Sequence, residues 1–103
     1  MLTVISTYIA GVNYNNENNE SRKEILANIP LDKNFILENY KFCGKKAVKI
    51  LTQDNKDIGN IPQDLAETIY DANSKGKVLY VIYKPQYYND HSKAHNIKIY
   101  IKN

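Results

Sequence analysis

Apolar and polar residues alternate along much of the chain, and this alternation predicts short β-strands. Residues 96–102 place isoleucine at every second position, and residues 3–12 combine β-branched with small residues up to a glycine. A period of two puts alternate side chains on one face of a sheet. Four further segments rich in β-branched, aliphatic or aromatic residues are predicted strands: 35–40, 46–52, 57–61 and 78–83.

Two segments carry helix signals instead. Ser21, with Glu24 three residues later, has the spacing of a capping box ahead of a short apolar face, which predicts a helix of one or two turns. Pro62 suits the first turn of a longer helix, because that turn needs no amide hydrogen from it. The apolar face of this second helix runs until Gly76, which can close its C-terminus.

The two remaining segments, residues 13–19 and 84–95, are polar and are predicted to be loops, the first with no means of packing. The chain is therefore predicted to be mainly β with two helices (α+β), in a single domain over residues 1–103. Six strands in so short a chain favour a small, partly open barrel of the OB or SH3-like kind, because closure removes exposed strand edges.

Composition narrows the class of protein. The apolar start is interrupted by hydroxyl residues and no basic residue precedes Arg22, so it predicts a strand and not an export signal. No apolar stretch approaches the roughly 18 residues that span a bilayer. The single cysteine, Cys43, cannot form an internal disulfide. These features favour a soluble, cytoplasmic protein without a membrane partner.

Charge is distributed unevenly although the net charge is only +3. Residues 41–56 hold five lysines and one aspartate, a local charge of +4, and residues 57–74 hold four acidic residues and no basic one. The pattern is compatible with a basic surface beside an acidic helix, but charge alone favours ordinary solvated lysines on exposed strand positions.

Three segments match one family in order and spacing: residues 9–14 (Ile-Ala-Gly-Val-Asn-Tyr), 46–50 (Lys-Ala-Val-Lys-Ile) and 58–66 (Ile-Gly-Asn-Ile-Pro-Gln-Asp-Leu-Ala). They resemble the opening strand, a central strand and the hinge with its helix start in the HIRAN domain. This is a small barrel attached to DNA-remodelling helicases and nucleases, and also a stand-alone bacterial or phage protein.

The resemblance implies capture of single-stranded DNA, including strand ends, by stacked aromatic rings and polar groups on the phosphates. By position, Tyr14 matches the family's stacking tyrosine and Asn13 stands where the DNA-binding members have arginine. Asn60 occupies the hinge position where some members of the family have histidine or tyrosine. Gln63 occupies the helix-start position where a lysine can contact phosphate.

The chain departs from the family at residues 41–47, which read Lys-Phe-Cys-Gly-Lys-Lys-Ala where the family has Asn-Pro-Tyr-Asp-x-Asn-Ala. The Tyr-Asp pair that receives a 3′ end is absent. Phe42 offers a stacking ring one position away, and Lys45 and Lys46 offer phosphate contacts. Recognition of a free 3′ end therefore stays open.

Other chemistry has less support in the sequence. His91 and His95 have a spacing that would ligate a metal on a helix, but no third ligand has a recognisable spacing. Cys43 lies among lysines that would lower a thiol pKa, but no partner is placed to orient a histidine toward it. We therefore expect no enzyme activity, no metal and no cofactor.

The sequence thus predicts a non-catalytic module that binds single-stranded nucleic acid. The alternative is a protein-interaction module, or a phage-encoded inhibitor, that binds a host nucleic-acid-processing or defence complex. The predicted nucleic-acid-binding residues are Asn13, Tyr14, Phe42, Lys45, Lys46, Lys49, Asn60, Gln63 and Tyr88.

Overall fold

The computed structural model describes residues 1–30, 33–89 and 92–103. These residues form eight strands and two helices, where six strands are expected from the sequence. In chain order the elements are β1 (Leu2–Tyr8), α1 (Arg22–Ala27), β2 (Ile36–Phe42), β3 (Lys45–Leu51), β4 (Asp57–Asn60), α2 (Gln63–Ser74), β5 (Val78–Tyr83), β6 (Gln86–Asn89), β7 (Ser92–Ala94) and β8 (Asn96–Lys102).

The strands form three antiparallel sheets in the orders β1-β8-β5, β2-β3-β4 and β6-β7. The third sheet corrects the prediction of a loop over residues 84–95. Its residues are polar and lack an apolar alternation, so the hairpin depends on backbone pairing that the pattern does not reveal.

The two larger sheets meet at isolated bridges, which join Ala10 to Asn60 and Asn34 to Ile82. At the first bridge, each backbone amide donates to the other residue's carbonyl, at 2.8 and 2.9 Å. One residue pair at each junction does not make a continuous ladder, and the sheets are not closed into a barrel. The predicted six-stranded barrel is therefore wrong, whereas a mainly β fold with two helices is confirmed.

The core lies between the larger sheets and α2. Ile97 and Ile99 of β8 are fully buried, as their alternation predicts, and they pack in one cluster with Val48 and Ile50 of β3. Ile69 of α2 is also fully buried in this cluster. Burial of such aliphatic side chains stabilises the fold by about 1.5–3 kcal/mol each before entropic costs.

Both helices have the predicted end signals. The Ser21 hydroxyl accepts a hydrogen bond from the Glu24 amide at 3.3 Å, at the start of α1. After α2, the Lys77 amide donates to the Ala72 carbonyl at 2.9 Å, and Gly76 adopts a φ of +68°. This is the Schellman arrangement, which satisfies the last carbonyls of the helix and favours glycine at this position.

The asparagine-rich loop is packed, contrary to the expectation for residues 13–19. Asn16 is only 7% exposed, and its side-chain oxygen accepts hydrogen bonds from the amides of Asn18 and Glu20, both at 3.0 Å. Its amide group donates to the carbonyl of Asp57 at 3.1 Å. The loop is thereby attached to β4.

Candidate nucleic-acid interface

The candidate site begins at the β2–β3 hairpin. Cys43 and Gly44 form its two-residue connection, with φ values of +52° and +78°. Two positive φ values are typical of the primed turns that match the twist of antiparallel strands, and Gly44 adopts one without strain. The turn sets the pairing register, so that Phe42 lies opposite Lys45.

The register divides the hairpin side chains between two faces. Directly paired residues share a face, and successive residues alternate between faces. One face, here called the outer face, carries Tyr40, Phe42, Lys45, Lys49 with Glu38 opposite it and, from β4, Asn60. The opposite face, here called the helix face, lies against α2 and carries Lys41 and Lys46 together with buried Val48 and Ile50.

A groove with a volume of about 360 Å³ lies between the hairpin tip and the first turns of α2. β4 ends opposite Lys49, and the Ile61 amide then donates to the Val48 carbonyl at 2.9 Å, so residues 45–47 extend past β4. Ala10, Ala47 and Ala66 line the groove beside the larger side chains. Because these three side chains are small, the groove stays open.

Two aromatic rings of β2 line the groove. Phe42 is 67% exposed, so its ring is available to a ligand. The Tyr40 hydroxyl donates to the side-chain oxygen of Asn60 at 2.6 Å, and the Lys49 ammonium lies 5.2 Å from the Tyr40 ring centroid. Tyr40 is therefore held in place, while Phe42 is the exposed stacking surface.

The lysines of the helix face are engaged by α2. The Lys46 ammonium donates to Asp71 at 2.7 Å, and the ammonium groups of Lys41 and Lys46 lie 5.1 and 5.4 Å from the Tyr70 ring centroid. The hydrogen bond to Asp71 raises the pKa of Lys46, and the same bond lowers the pKa of Asp71. Lys46 lines the groove, but its charge is largely balanced by Asp71.

The two outer-face lysines differ in their constraints. Within the described part of the chain, no carboxylate lies within 4 Å of the Lys45 ammonium. Lys49 lies over the Tyr40 ring, opposite Glu38 in the sheet. It also approaches Glu17 at 3.9 Å, a pair that solvent screens because the Glu17 side chain is 88% exposed. Lys45 is thus the less constrained ammonium group on this face.

The groove brings together five of the nine predicted residues: Phe42, Lys45, Lys46, Asn60 and Gln63. Lys49 lies beside them, opposite Asn60 in the sheet. Asn13 lines a different pocket, and Tyr14 is 73% exposed. Neither of these two residues lines the groove. The side chain of Tyr88 and all of His91, part of the predicted metal pair, lie outside what the structure describes.

Tyr40 is the groove residue that the sequence reasoning missed. The signal was present, because Tyr40 and Phe42 are two positions apart on a predicted strand and therefore share a face. In the β2–β3 hairpin these two rings lie on the same face as Lys45 and Lys49. Predicting this arrangement requires the pairing register of the hairpin, which the sequence pattern does not supply.

Neither helix of the described residues is long and apolar enough to cross a bilayer. Across residues 1–30, 33–89 and 92–103, no three His, Cys, Asp or Glu side chains are grouped to hold a metal ion. Comparisons with protein-family models, curated proteins and solved structures gave no match to this chain. The resemblance to HIRAN domains therefore stays an interpretation of its residues.

Proposed function

We propose that the protein is a non-catalytic module that binds single-stranded nucleic acid in the groove beside β3. One observation carries the proposal: an exposed phenylalanine, a lysine without an acidic partner among the described residues and two amide side chains converge around a groove lined by alanines. None of the described residues that line this groove is acidic. The site therefore suits a flexible, negatively charged ligand with flat rings.

Stacking on Phe42 supplies the base contact. A base on an aromatic side chain contributes about 1–3 kcal/mol and does not depend strongly on which base it is. In a duplex the base faces are already stacked on each other, so this contact favours single strands. Asn60 and Gln63 add hydrogen-bond donors and acceptors for base edges or the sugar-phosphate backbone.

Lys45 supplies one phosphate contact, and Lys49 supplies a second when its ammonium leaves Glu17 and the Tyr40 ring. Each phosphate neutralised on a single strand changes the slope of log affinity against log salt by about −0.7. Two contacts therefore correspond to a slope of about −1.4. No carboxylate among the described lining residues is placed to accept a hydrogen bond from a 3′ hydroxyl, so binding does not require a free 3′ end.

The resemblance to HIRAN domains supports this surface in part, because Asn13 and Tyr14 lie outside the groove. Asn60 and Gln63 belong to the hinge and helix start that carry the resemblance, and both line the groove. Under this proposal the chain is a divergent HIRAN-like module that acts on nucleic acid in the cytoplasm.

Cys43 gives a direct test, because this free and exposed thiol also lines the groove. We expect a single-stranded oligonucleotide to slow modification of Cys43 by a thiol reagent, whether its 3′ end is free or blocked, and a duplex to protect much less. In the matched control, Cys43→Ser with Lys77→Cys, the remote thiol stays unprotected. An unchanged Cys43 rate at high oligonucleotide concentration would contradict the proposal.

A second candidate is protein binding through the solvent side of the β1-β8-β5 sheet. Val4 lies opposite Tyr100, and the Tyr80 and Tyr100 rings make an edge contact with centroids 6.2 Å apart. Val4 and Tyr80 are 48% and 54% exposed, so the three strands present an apolar band to solvent. Exposed bands of this kind mark interaction surfaces.

For this candidate we expect a partner from a nucleic-acid-processing or defence complex, as for a phage-encoded inhibitor. Capture from a nuclease-treated host lysate separates the two candidates. A protein retained by the parent and by Phe42→Ala, but lost with Tyr80→Ala, would favour the second. Capture abolished by the nuclease would favour the first.

A further inference from the structure

A second pocket, with a volume of about 480 Å³, lies across the segment that follows β1. Ala10 lines the groove, whereas its neighbours Ile9 and Gly11 line this pocket, so the segment separates the two. The polar side chains of the pocket come from three parts of the chain: Asn13, Lys23 near the start of α1, and Lys93 and His95 at β7.

His95 is fixed at the wall of this pocket. The Ile9 amide donates to the His95 carbonyl at 2.9 Å. Its ring lies parallel to the Tyr83 ring, with centroids 6.2 Å apart and 6° between the planes. The Tyr83 hydroxyl and His95 Nδ1 are 2.8 Å apart. Position and orientation of the imidazole are thus set by the fold and not by a ligand.

The hydrogen bond couples the tautomer of His95 to Tyr83. Burial raises the pKa of Tyr83 to about 12, so its hydroxyl keeps its proton and can either donate to Nδ1 or accept from it. When the hydroxyl donates, the neutral imidazole carries its proton on Nε2. In that tautomer, and in the doubly protonated imidazolium, Nε2 has a proton to donate to a ligand.

The pocket is positively charged. Burial lowers the pKa of His95, and the charges of Lys93 and then Lys23 lower it further, so both ammonium groups act on the ring. The Lys93 ammonium lies 5.4 Å from the Tyr87 ring centroid. No acidic side chain of the described residues lines the pocket, and none lies within 4 Å of either ammonium.

We propose that Lys23, Lys93, His95 and Asn13 bind a phosphate monoester in this pocket. Two ammonium groups without acidic partners among the described residues, an imidazole N–H and a side-chain amide are suitable donors for its anionic oxygens. The phosphate is either free or the terminal phosphate of a nucleic-acid strand. The proposal depends on this pocket alone and not on the proposed function of the groove.

The test is NMR titration of the ¹⁵N-labelled protein with three probes: inorganic phosphate, a 5′-phosphorylated oligothymidylate and the same oligonucleotide without its phosphate. We expect saturable shifts at Gly11, Asn13, Lys93 and the His95 ring. We also expect the pKa of His95 to rise on binding, because the anion offsets the repulsion from the lysines. Saturation by inorganic phosphate identifies a free ligand, and saturation only by the phosphorylated strand identifies a strand terminus.

Lys23→Gln with Lys93→Gln should weaken phosphate binding about tenfold, since it removes both charge-assisted contacts. Lys77→Gln with Lys102→Gln removes the same charge from exposed positions outside the pocket and should leave binding unchanged. Equal losses in the two variants, shifts scattered over the surface, or an unchanged His95 pKa with every probe would overturn the proposal. The groove proposal is tested at Cys43, whereas this proposal is tested at His95. The two proposals can therefore fail independently of each other.

Discussion

Each face of the β2–β3 hairpin carries two lysines, and the two pairs of lysines differ in their partners. On the helix face, Lys41 and Lys46 lie over the Tyr70 ring, and Lys46 is paired with Asp71. On the outer face, Lys45 has no acidic partner among the described residues, whereas the Lys49 ammonium lies over the Tyr40 ring and 3.9 Å from an exposed glutamate. Of these four lysines within nine residues, Lys45 alone has neither an acidic partner nor a ring contact among the described residues.

The difference shows that strand position, and not local lysine density, decides which charges can reach a ligand. Alternation along a strand sends neighbouring side chains to opposite faces, and only one face of this hairpin is covered by a helix. An engaged ammonium has to leave its partner before it can bind a phosphate, so we expect it to contribute less to binding.

The largest expected effect is on the stability supplied by the helix face. Ile50 is fully buried there, and Ile50→Ala should lower the free energy of unfolding by about 2–5 kcal/mol, because it removes buried methyl groups and leaves a cavity. Chemical denaturation measures this. An effect below about 0.5 kcal/mol, the range of ordinary surface substitutions, would show that this face does not support the fold as described.

Gly59→Ala tests the junction that holds the outer face against β1. A Cβ at Gly59 would lie 2.5 Å from the Ala10 carbonyl oxygen, at a φ of +140°. The strain should lower the free energy of unfolding by about 3 kcal/mol. Gly76→Ala is the control, with a positive φ but no atom within 4 Å of the added Cβ, and should cost about 1–2 kcal/mol. Equal costs would mean that the close approach of Gly59 to Ala10 is not required.

Phe42→Ala should affect binding and not stability. The ring is 67% exposed, so the free energy of unfolding should change by no more than about 0.5 kcal/mol. Loss of one stacked base should weaken oligonucleotide affinity by about 1–3 kcal/mol. Fluorescence anisotropy and chemical denaturation of the same sample compare the two quantities. A variant that unfolds more easily but binds as well as the parent would reverse the assignment of the two faces.

The smallest effect concerns the Lys46–Asp71 pair, which is mostly solvated. The pKa of Asp71 is lowered from its ordinary value of 3.8, so the contribution of the pair is present above that pH and is lost as the pH falls through the lowered value. Thermal unfolding measured from pH 2 to 6 should therefore show that the stability of the parent falls slightly more steeply with decreasing pH than that of Asp71→Asn. Parallel curves for the two proteins would show that the Lys46–Asp71 pair does not contribute to stability.

Strong, local patterns predicted their elements. The strict alternation of Ile97, Ile99 and Ile101 predicted a strand over residues 96–102, which are the bounds of β8. The Ser21 hydroxyl caps α1 as expected. Each signal depends on a few consecutive residues and one physical cause. The positive φ of Gly76 at the end of α2 is another example.

Features that depend on long-range pairing were missed. The β6–β7 hairpin lacks an apolar face, and an asparagine such as Asn16 gives no sign in sequence of whether it is buried or solvated. The barrel prediction counted strands but could not see that the larger sheets meet at isolated bridges. Five of the nine predicted site residues still line one groove, because the motif and the lysine-rich hairpin are adjacent strands of one sheet.

The central claim is that the outer face of the hairpin, and not the helix face, binds nucleic acid. The most direct measurement compares the salt dependence of single-strand binding for Lys45→Gln and Lys41→Gln, two exposed lysines on adjacent strands and opposite faces. We predict that Lys45→Gln lowers affinity and reduces the slope by about 0.7, whereas Lys41→Gln leaves both unchanged. Equal changes in the two variants, or a change with Lys41→Gln alone, would contradict the account.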